Sequence, residues 1–298
     1  MPGSSPVRQP SGFFARRLSR VNQEPAHVIY RIAIRIVHLI MSVLGSRDWR
    51  DQSKLPQTGG IIVVSDHISK FDPLPLADYL AYSGRWPRFL GKIELSRSII
   101  GPLFKATESI PVDRGSLHAV DALAPAAEAL KEGKAVTIYP EGTETYDPDL
   151  WPMTAKTGAA RLALATGAPV IPVAQWGAHN VLAPHVSFNF NLRHDGKRHR
   201  FSVICGDPVD LSDLMGRPLD RAVLEIATTR IMDAITDLIA ILREETPPTE
   251  RYSRKARTRL PIDREVPAPP AAADDAAADS APTAETGDEQ TGPEETRR

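Results

Sequence analysis

A histidine and an aspartate five residues apart, His67 and Asp72, have the types and spacing that suit proton transfer. An imidazole can take a proton from a hydroxyl group, and a carboxylate beside it can orient the ring. On a continuous helix the two side chains would lie about 140° apart, so they can meet only across a loop. The pair therefore predicts a general base and its orienting partner. An ordinary polar histidine beside a helix-capping aspartate is the alternative that the spacing alone leaves open.

The flanking residues predict such a loop. Residues 61–64 form a short β-branched run that is typical of a buried strand in an α/β sheet. Asp72 followed by Pro73 is typical of a helix start, with the carboxylate as the N-cap. His67 is thus expected at the end of a strand, and Asp72 at the beginning of the next helix.

Two further segments contain residues that could bind an anion. Arg114 lies in a turn after an extended segment, where its planar guanidinium could clamp a phosphate, although a salt bridge to Asp113 is the alternative. Gly142 follows the apolar strand 135–139 and allows backbone N–H groups to approach an anion. Because ligands bind beyond the carboxyl ends of strands in α/β sheets, we expect this loop beside the loop of His67.

The elements that must position these residues predict one α/β domain over residues 46–245. Its apolar strands and helices indicate a central mixed, largely parallel sheet flanked by helices. Residues 168–174 are expected to be a strand whose prolines suit a sheet edge or a strand start. Residues 188–192 and 200–204 are expected to pair as a hairpin, and residues 220–242 to form a long closing helix.

The N-terminal part of the chain suggests contact with a membrane surface. Residues 1–24 are expected to be a basic mobile leader, and residues 25–45 an amphipathic membrane-associating helix. The polar stripe of this helix consists of Arg31, Arg35, His38 and Ser42. Two arginines argue against a spanning helix, because each costs about 2.5 to 3.5 kcal/mol near the bilayer centre. A helix packed on the domain with its polar stripe in water is the alternative.

The composition of the chain limits which partners, disulfides and metal sites are to be expected. The formal net charge is −1, so no overall field indicates a nucleic-acid partner. Cys205 is the single cysteine, which excludes an intramolecular disulfide and fits a reducing compartment. The spacing of histidine and cysteine predicts no metal site. Residues 246–298 are expected to be a basic linker followed by a disordered, acidic tail rich in proline and alanine.

Four sequence blocks occur in a fixed order. They are His67-x4-Asp72, Ile110-Pro-Val-Asp-Arg114, Tyr139-Pro-Glu-Gly-Thr143 and Val170-Ile-Pro-Val173. In order and spacing they resemble the glycerolipid acyltransferase family, and in particular its bacterial 1-acyl-glycerol-3-phosphate acyltransferases. The likeness extends over about residues 25–245, and four agreeing blocks are far more specific than any one of them.

The resemblance implies transfer of a fatty acyl group to the free hydroxyl of 1-acyl-glycerol-3-phosphate, a lysophospholipid, giving phosphatidic acid. The donor would be an acyl thioester, either acyl-CoA or acyl carrier protein, with no further cofactor. His67 would be the general base, with Asp72 orienting it. The implied phosphate-binding residues are Arg114, Glu141, Gly142, Thr143 and Lys92, and the implied acyl-path residues are Val170, Ile171, Pro172 and Val173. The implied location is the cytoplasmic face of the cell membrane, on anionic lipid.

One residue departs from the family pattern. Glu144 follows Thr143 where the family usually has an arginine, and this replaces a cation by an anion beside the implied phosphate site. The departure leaves open another lyso-lipid or a glycolipid as the acceptor. It also leaves open a lipid-binding scaffold that has lost activity.

Overall fold

A computed structural model describes residues 24–97, 101–112, 123–193 and 196–262, together with residues 18, 22 and 264. The helices are α1 (Val28–Leu44), α2 (Pro73–Tyr82), α3 (Ile93–Ser96), α4 (Gly101–Ala106), α5 (Ala124–Lys131), α6 (Gly158–Thr166) and α7 (Arg221–Arg243). The strands are β1 (Gly45–Arg50), β2 (Ile61–Val64), β3 (Pro87–Lys92), β4 (Ile110–Val112), β5 (Ala135–Ile138), β6 (Val170–Trp176), β7 (His199–Cys205), β8 (Glu250–Ser253) and β9 (Thr258–Pro261).

Seven of these strands form one sheet in the order β1-β7-β6-β2-β5-β3-β4. The strands from β6 to β4 are parallel, β1 is parallel to β7, and the β6–β7 pair is antiparallel. This confirms the predicted α/β domain with a mixed, largely parallel sheet. The carboxyl ends of β2 and β5 lie side by side, which brings the loops that follow them together.

The alternation of side chains along β2 divides the core into two layers. Ile62 and Val64 face α5, α6 and α7, whereas Ile61 and Val63 pack with Leu76 and other residues of α2. Because successive side chains of a strand point to opposite faces, a run of β-branched residues fills both layers. All four residues of β2 are buried, so the strand that leads to His67 is fixed on both sides.

The structure corrects two predictions about the sheet. The strand predicted at residues 168–174 is β6, which begins directly after Pro169, but it lies inside the sheet, between β7 and β2, and not at an edge. Pro172 is tolerated there because pairing with β7 begins only at Val173. The predicted hairpin is absent from the described residues: β7 pairs with β6 and β1, while Phe190 forms only an isolated bridge to Leu182. Pairing with β6 buries β7, which a two-stranded hairpin would leave half exposed.

The chain beyond α7 also differs from the prediction of a linker. β8 and β9 pair as a hairpin on the domain. Arg251 forms an ion pair with Asp233, and Arg259 forms one with Asp147, a carboxylate that is 1% exposed. These ion pairs attach the β8–β9 hairpin to the domain, although the hairpin has few apolar side chains. The predicted linker therefore belongs to the ordered domain up to the end of β9, and the predicted tail beyond residue 264 lies outside the described residues.

Helix α1 packs on the domain and also turns an apolar face outward. Tyr30 and Ile34 pack against α2, and His38 contacts the buried carboxylate of Asp78 at 2.8 Å, so part of the polar stripe faces the protein. Large apolar side chains are exposed along the other face: Val28, Ile29, Ile32, Ile36, Leu39, Ile40 and Val43. No helix in the described part of the chain is long and apolar enough to cross a membrane. Most of the predicted leader lies outside the described residues, but Glu24 pairs with Arg88 inside the domain.

Candidate active site

His67 and Asp72 meet in the loop between β2 and α2. The Asp72 Oδ2 atom lies 3.0 Å from His67 Nδ1 and accepts the backbone N–H groups of Ile68 at 2.6 Å and Ser69 at 2.7 Å. With Nδ1–H donating to the carboxylate, Nε2 is left as a proton acceptor. The carboxylate makes no capping hydrogen bond to α2, contrary to the prediction. The backbone of Asp72 is already helical, so its side chain leans back over the preceding loop.

The ring of His67 is enclosed but reachable. It stacks on Tyr139, with ring centroids 4.3 Å apart, and its side chain is 17% exposed. Burial alone would lower the pKa of the imidazole. The hydrogen bond and charge of Asp72, with smaller contributions from Glu141 and Glu144, outweigh burial and raise this pKa above its usual value. The sequence placed Tyr139 in one of the four blocks but assigned it no role, although it directly follows β5.

Glu141 ties the two loops together. Its carboxylate accepts the backbone N–H of His67 at 3.0 Å and that of Met153 at 2.9 Å. The backbone N–H of Thr145 also donates to the carbonyl of His67 at 2.6 Å. Burial raises the pKa of Glu141 to about 7. Glu141 therefore fixes the backbone of the candidate base, whereas the resemblance implied that it belongs to the phosphate site.

The remaining candidate anion-binding residues are only partly brought together. The N–H of Gly142 donates to the carbonyl of Tyr139 in a tight turn with a φ of 74°, so it does not serve an anion as expected. Gly142 lies against the side chain of Lys156, since an added Cβ would come within 3.3 Å of its Cε. Lys92, at the end of β3, and Gly142 line the same cavity as His67. Thr143 is half-buried in this turn, and Arg114 lies outside the described residues.

Glu144 does not line that cavity. It is 5% exposed, its carboxylate accepts the backbone N–H of His185 at 3.2 Å, and it lies 3.4 Å from His185 Nδ1. The His185 ring stacks on Tyr146. The anion that departs from the family pattern is thus held by a histidine and is absent from the cavity lining.

A mainly apolar cavity of about 350 Å³ opens beside His67. It lies between α1, α2, α4 and β3. Its apolar lining includes Tyr30, Ala33, Ile34, Val37, Leu74, Ala77, Phe89, Leu103 and Phe104. Apolar walls with polar groups at one place are typical of a site for an amphipathic ligand. A hydrocarbon chain can lie in this cavity with its polar end at His67.

The predicted acyl path lies elsewhere. Val170, Ile171, Pro172 and Val173 form the first half of β6 and contribute nothing to the cavity lining. Val170 packs in the core layer under α7, and Ile171 and Val173 pack in the layer under α2. Their burial inside the sheet contradicts a role as chain-lining residues.

The sequence also missed a buried polar group behind the candidate base. Asp66 is 1% exposed, and its Oδ1 accepts the backbone N–H of Gln175 at 2.8 Å. Burial, with the nearby charge of Asp72, raises the pKa of Asp66 well above its usual range. This hydrogen bond joins the end of β2 to β6 at the residue before His67.

Residues 47–176, which include His67, Asp72 and Glu141, match the Acyltransferase family model. This match and the related enzymes support a glycerolipid acyltransferase family for the domain. Among relatives of this acyltransferase domain, a probable 1-acyl-sn-glycerol-3-phosphate acyltransferase of Mycoplasma genitalium is 25% identical over 157 residues, covering 52% of this chain and 58% of the relative. The 1-acyl-sn-glycerol-3-phosphate acyltransferase of Bacillus subtilis is 27% identical over 192 residues, covering 64% and 87%.

A solved structure shares the fold of the acyltransferase domain. The 1-acyl-sn-glycerophosphate acyltransferase PlsC from Thermotoga maritima aligns with a TM-score of 0.55 and 20% identity, over 74% of this chain and 83% of the other. At this identity the likeness concerns the fold alone. The chain spans little more than half the length of the relatives from M. genitalium and Borreliella burgdorferi, at 58% and 54%.

Proposed function

We propose that this protein transfers a fatty acyl group from an acyl thioester to the free hydroxyl of 1-acyl-glycerol-3-phosphate and so makes phosphatidic acid. The observation that carries the proposal is the His67–Asp72 pair at an apolar cavity of about 350 Å³. The pair supplies a base for the acceptor hydroxyl, and the cavity supplies room for a hydrocarbon chain. The names of the related acyltransferases agree with this substrate class.

The proposed reaction needs no covalent enzyme intermediate. The Nε2 atom of His67 takes the hydroxyl proton while the hydroxyl oxygen attacks the thioester carbonyl carbon. The tetrahedral intermediate collapses, the carbon–sulfur bond breaks, and the protonated imidazole returns its proton to the leaving thiolate. Asp72 stabilises the imidazolium through the 3.0 Å contact to Nδ1. General-base catalysis of this kind contributes about 10² to 10⁴ in rate.

The acceptor phosphate is proposed to bind near Gly142. Lys92 lines the cavity there, and the side chain of Lys156 lies against Gly142. Arg114 is proposed as a third cation on the basis of the family resemblance. Glu144 should repel a bound phosphate less than its position after Thr143 suggests, because its carboxylate is buried against His185. Because of that burial, Glu144 does not argue against a phosphate acceptor.

Attachment to the cytoplasmic face of the cell membrane, on anionic lipid, is part of the proposal. The outward apolar face of α1 supports it, because a helix with this character lies in a membrane interface. Arg31 and Arg35 add positive charge along the same helix. The cavity has Ala33, Ile34 and Val37 of α1 in its wall, so a lipid could enter beside this helix.

An acceptor screen tests the proposal. Full-length protein in detergent would be given acyl-CoA or acyl carrier protein with lysophosphatidic acid, other lysophospholipids or glycolipids, and products would be measured by mass spectrometry. Phosphatidic acid should be the main product. A clear preference for a glycolipid would overturn the proposed acceptor, and no acyl transfer to any acceptor would indicate a lipid-binding scaffold.

A further inference from the structure

A short segment before β7 exposes three large apolar side chains. Phe188, Phe190 and Leu192 are 89%, 48% and 64% exposed. We call residues 186–193 the aromatic loop. Large exposed apolar side chains grouped within five residues suggest a site of contact with another molecule or a membrane. None of the three side chains lines the cavity beside His67, so catalysis does not explain them.

The base of the aromatic loop is fixed beside α1. Phe190 bridges to Leu182, which packs in one apolar cluster with Met41 of α1, and Val186 packs against the same cluster. The backbone N–H of Asn191 donates to the carbonyl of Val181 at 2.8 Å. The exposed side chains therefore stand on a held segment next to the helix.

The loop also adjoins the loop of the candidate base. Ser69 Oγ donates to the carbonyl of Leu182 at 2.6 Å. Lys70 Nζ donates to Ser187 Oγ at 2.9 Å. Any surface that holds the aromatic loop therefore lies close to the cavity at His67.

The charges around this surface are positive. Arg198 donates to the carbonyl of Gly45 at 3.0 Å, immediately after α1, and Lys70 and Arg193 lie at the loop itself. Residues 28–44 and residues 186–193 contain no aspartate or glutamate. Apolar side chains flanked by cations, on segments that themselves carry no carboxylate, match the interface of an anionic lipid bilayer, where each basic residue near the surface contributes about 1 kcal/mol.

We infer that the aromatic loop inserts Phe188, Phe190 and Leu192 into the interface of an anionic phospholipid bilayer, as a second contact beside α1. The inference rests on the proposed membrane attachment and makes it more specific. One helix lying on a surface can still roll about its own axis. A second contact fixed to its flank stops that rotation and holds the cavity mouth against the lipid surface.

Vesicle flotation of the full-length protein tests the inference. The vesicles would be phosphatidylcholine with or without phosphatidylglycerol, and the variant would be Phe188→Ser with Phe190→Ser. Binding to the anionic vesicles should weaken about tenfold, because two large apolar side chains leave the interface. Leu260→Ser is the matched control, since Leu260 is 43% exposed on β9, and its binding should equal that of the wild type. Equal binding by the loop variant would overturn the inference.

Turnover separates the loop from the proposed reaction. With lysophosphatidic acid in detergent micelles the loop variant should match the wild type, whereas on anionic vesicles it should be about tenfold slower. Equal loss in micelles would overturn the membrane role and indicate a structural one. A wild type that binds vesicles through the loop but transfers no acyl group would contradict the proposed function alone.

A gain-of-signal variant avoids dependence on a damaged protein. In Phe188→Trp the new indole should be quenched by brominated lipids in anionic vesicles, beyond the quenching of the wild type. No additional quenching would overturn the inference. Sedimentation without lipid tests whether the loop instead binds a second copy of the chain. If the wild type is a dimer and Phe188→Ser is a monomer, the loop is a dimer contact and the inference is overturned.

Discussion

Replacing Asp72 by asparagine removes the negative charge beside His67 and keeps the shape of the side chain. At the observed 3.0 Å, two unit charges attract each other by about 5.5 kcal/mol at an effective dielectric constant of about 20. Burial of both side chains offsets part of this attraction. A neighbouring opposite charge typically changes a pKa by about one to three pH units, which corresponds to about 1.4 to 4 kcal/mol.

In the proposed reaction the same energy stabilises the imidazolium that forms during acyl transfer. Asp72→Asn should therefore lower kcat by about 10- to 1,000-fold at a pH where His67 is neutral in both proteins. The pH dependence should change as well. Because His67 acts only when neutral and its pKa is raised, kcat/KM of the wild type should rise with pH to a midpoint above 6.5. Burial lowers the pKa once the charge is lost, so the midpoint of the variant should move to lower pH.

The assay is thiol release from acyl-CoA, followed from about pH 5 to 9 in detergent with lysophosphatidic acid. Glu144→Gln is the control, because it removes a carboxylate that raises the pKa of His67 without touching the ring. Its midpoint should move in the same direction by less. A kcat for Asp72→Asn within threefold of the wild type, or a midpoint that moves upward, would refute this role for Asp72.

Three further variants test other parts of the structure. Burial raises the pKa of Glu141 from 4.5 to about 7, so ionisation of this carboxyl opposes folding, and the free energy of unfolding should fall as the pH rises through this range. Glu141→Gln should remove about 3 kcal/mol of that fall, as measured by urea unfolding at several pH values. The same pH dependence of stability in the variant and the wild type would contradict this role of Glu141. Ala33→Phe narrows the cavity and should lower turnover of long-chain acyl-CoA about tenfold more than that of short-chain acyl-CoA; an equal loss across chain lengths would place the acyl chain elsewhere. Arg259→Ala leaves the buried Asp147 without its ion pair and should lower the free energy of unfolding by about 3 kcal/mol, whereas a neutral result would mean that the β8–β9 hairpin is not held by this contact.

The contacts that sequence reasoning predicted are local ones. His67 and Asp72 are five residues apart, and a strand, a turn and a helix start leave little choice in how they meet. The apolar runs of β2 and β5 are strands because both faces are buried. Even here the capping role expected for Asp72 failed, because the orientation of its side chain depends on whether its own backbone is helical.

The contacts that the sequence did not reveal join distant parts of the chain. Glu141 reaches a backbone group 74 residues away, and Arg259 reaches a carboxylate 112 residues away. The place of β6 within the sheet depends on its pairing with β7, which buries residues 170–173, whereas the cavity beside His67 lies under α1. Each polar residue has several partners of suitable chemistry, and only the fold selects among them.

The central claim, that His67 is the base for acyl transfer to lysophosphatidic acid, is tested most directly by one comparison. Wild-type protein and His67→Ala, both in detergent, would receive acyl-CoA and lysophosphatidic acid, and phosphatidic acid would be counted by mass spectrometry. The wild type should form phosphatidic acid at least about 100-fold faster than the variant, because a rate factor of about 100 is the lower end of what general-base catalysis contributes. Equal rates in the two proteins would contradict the assignment of His67.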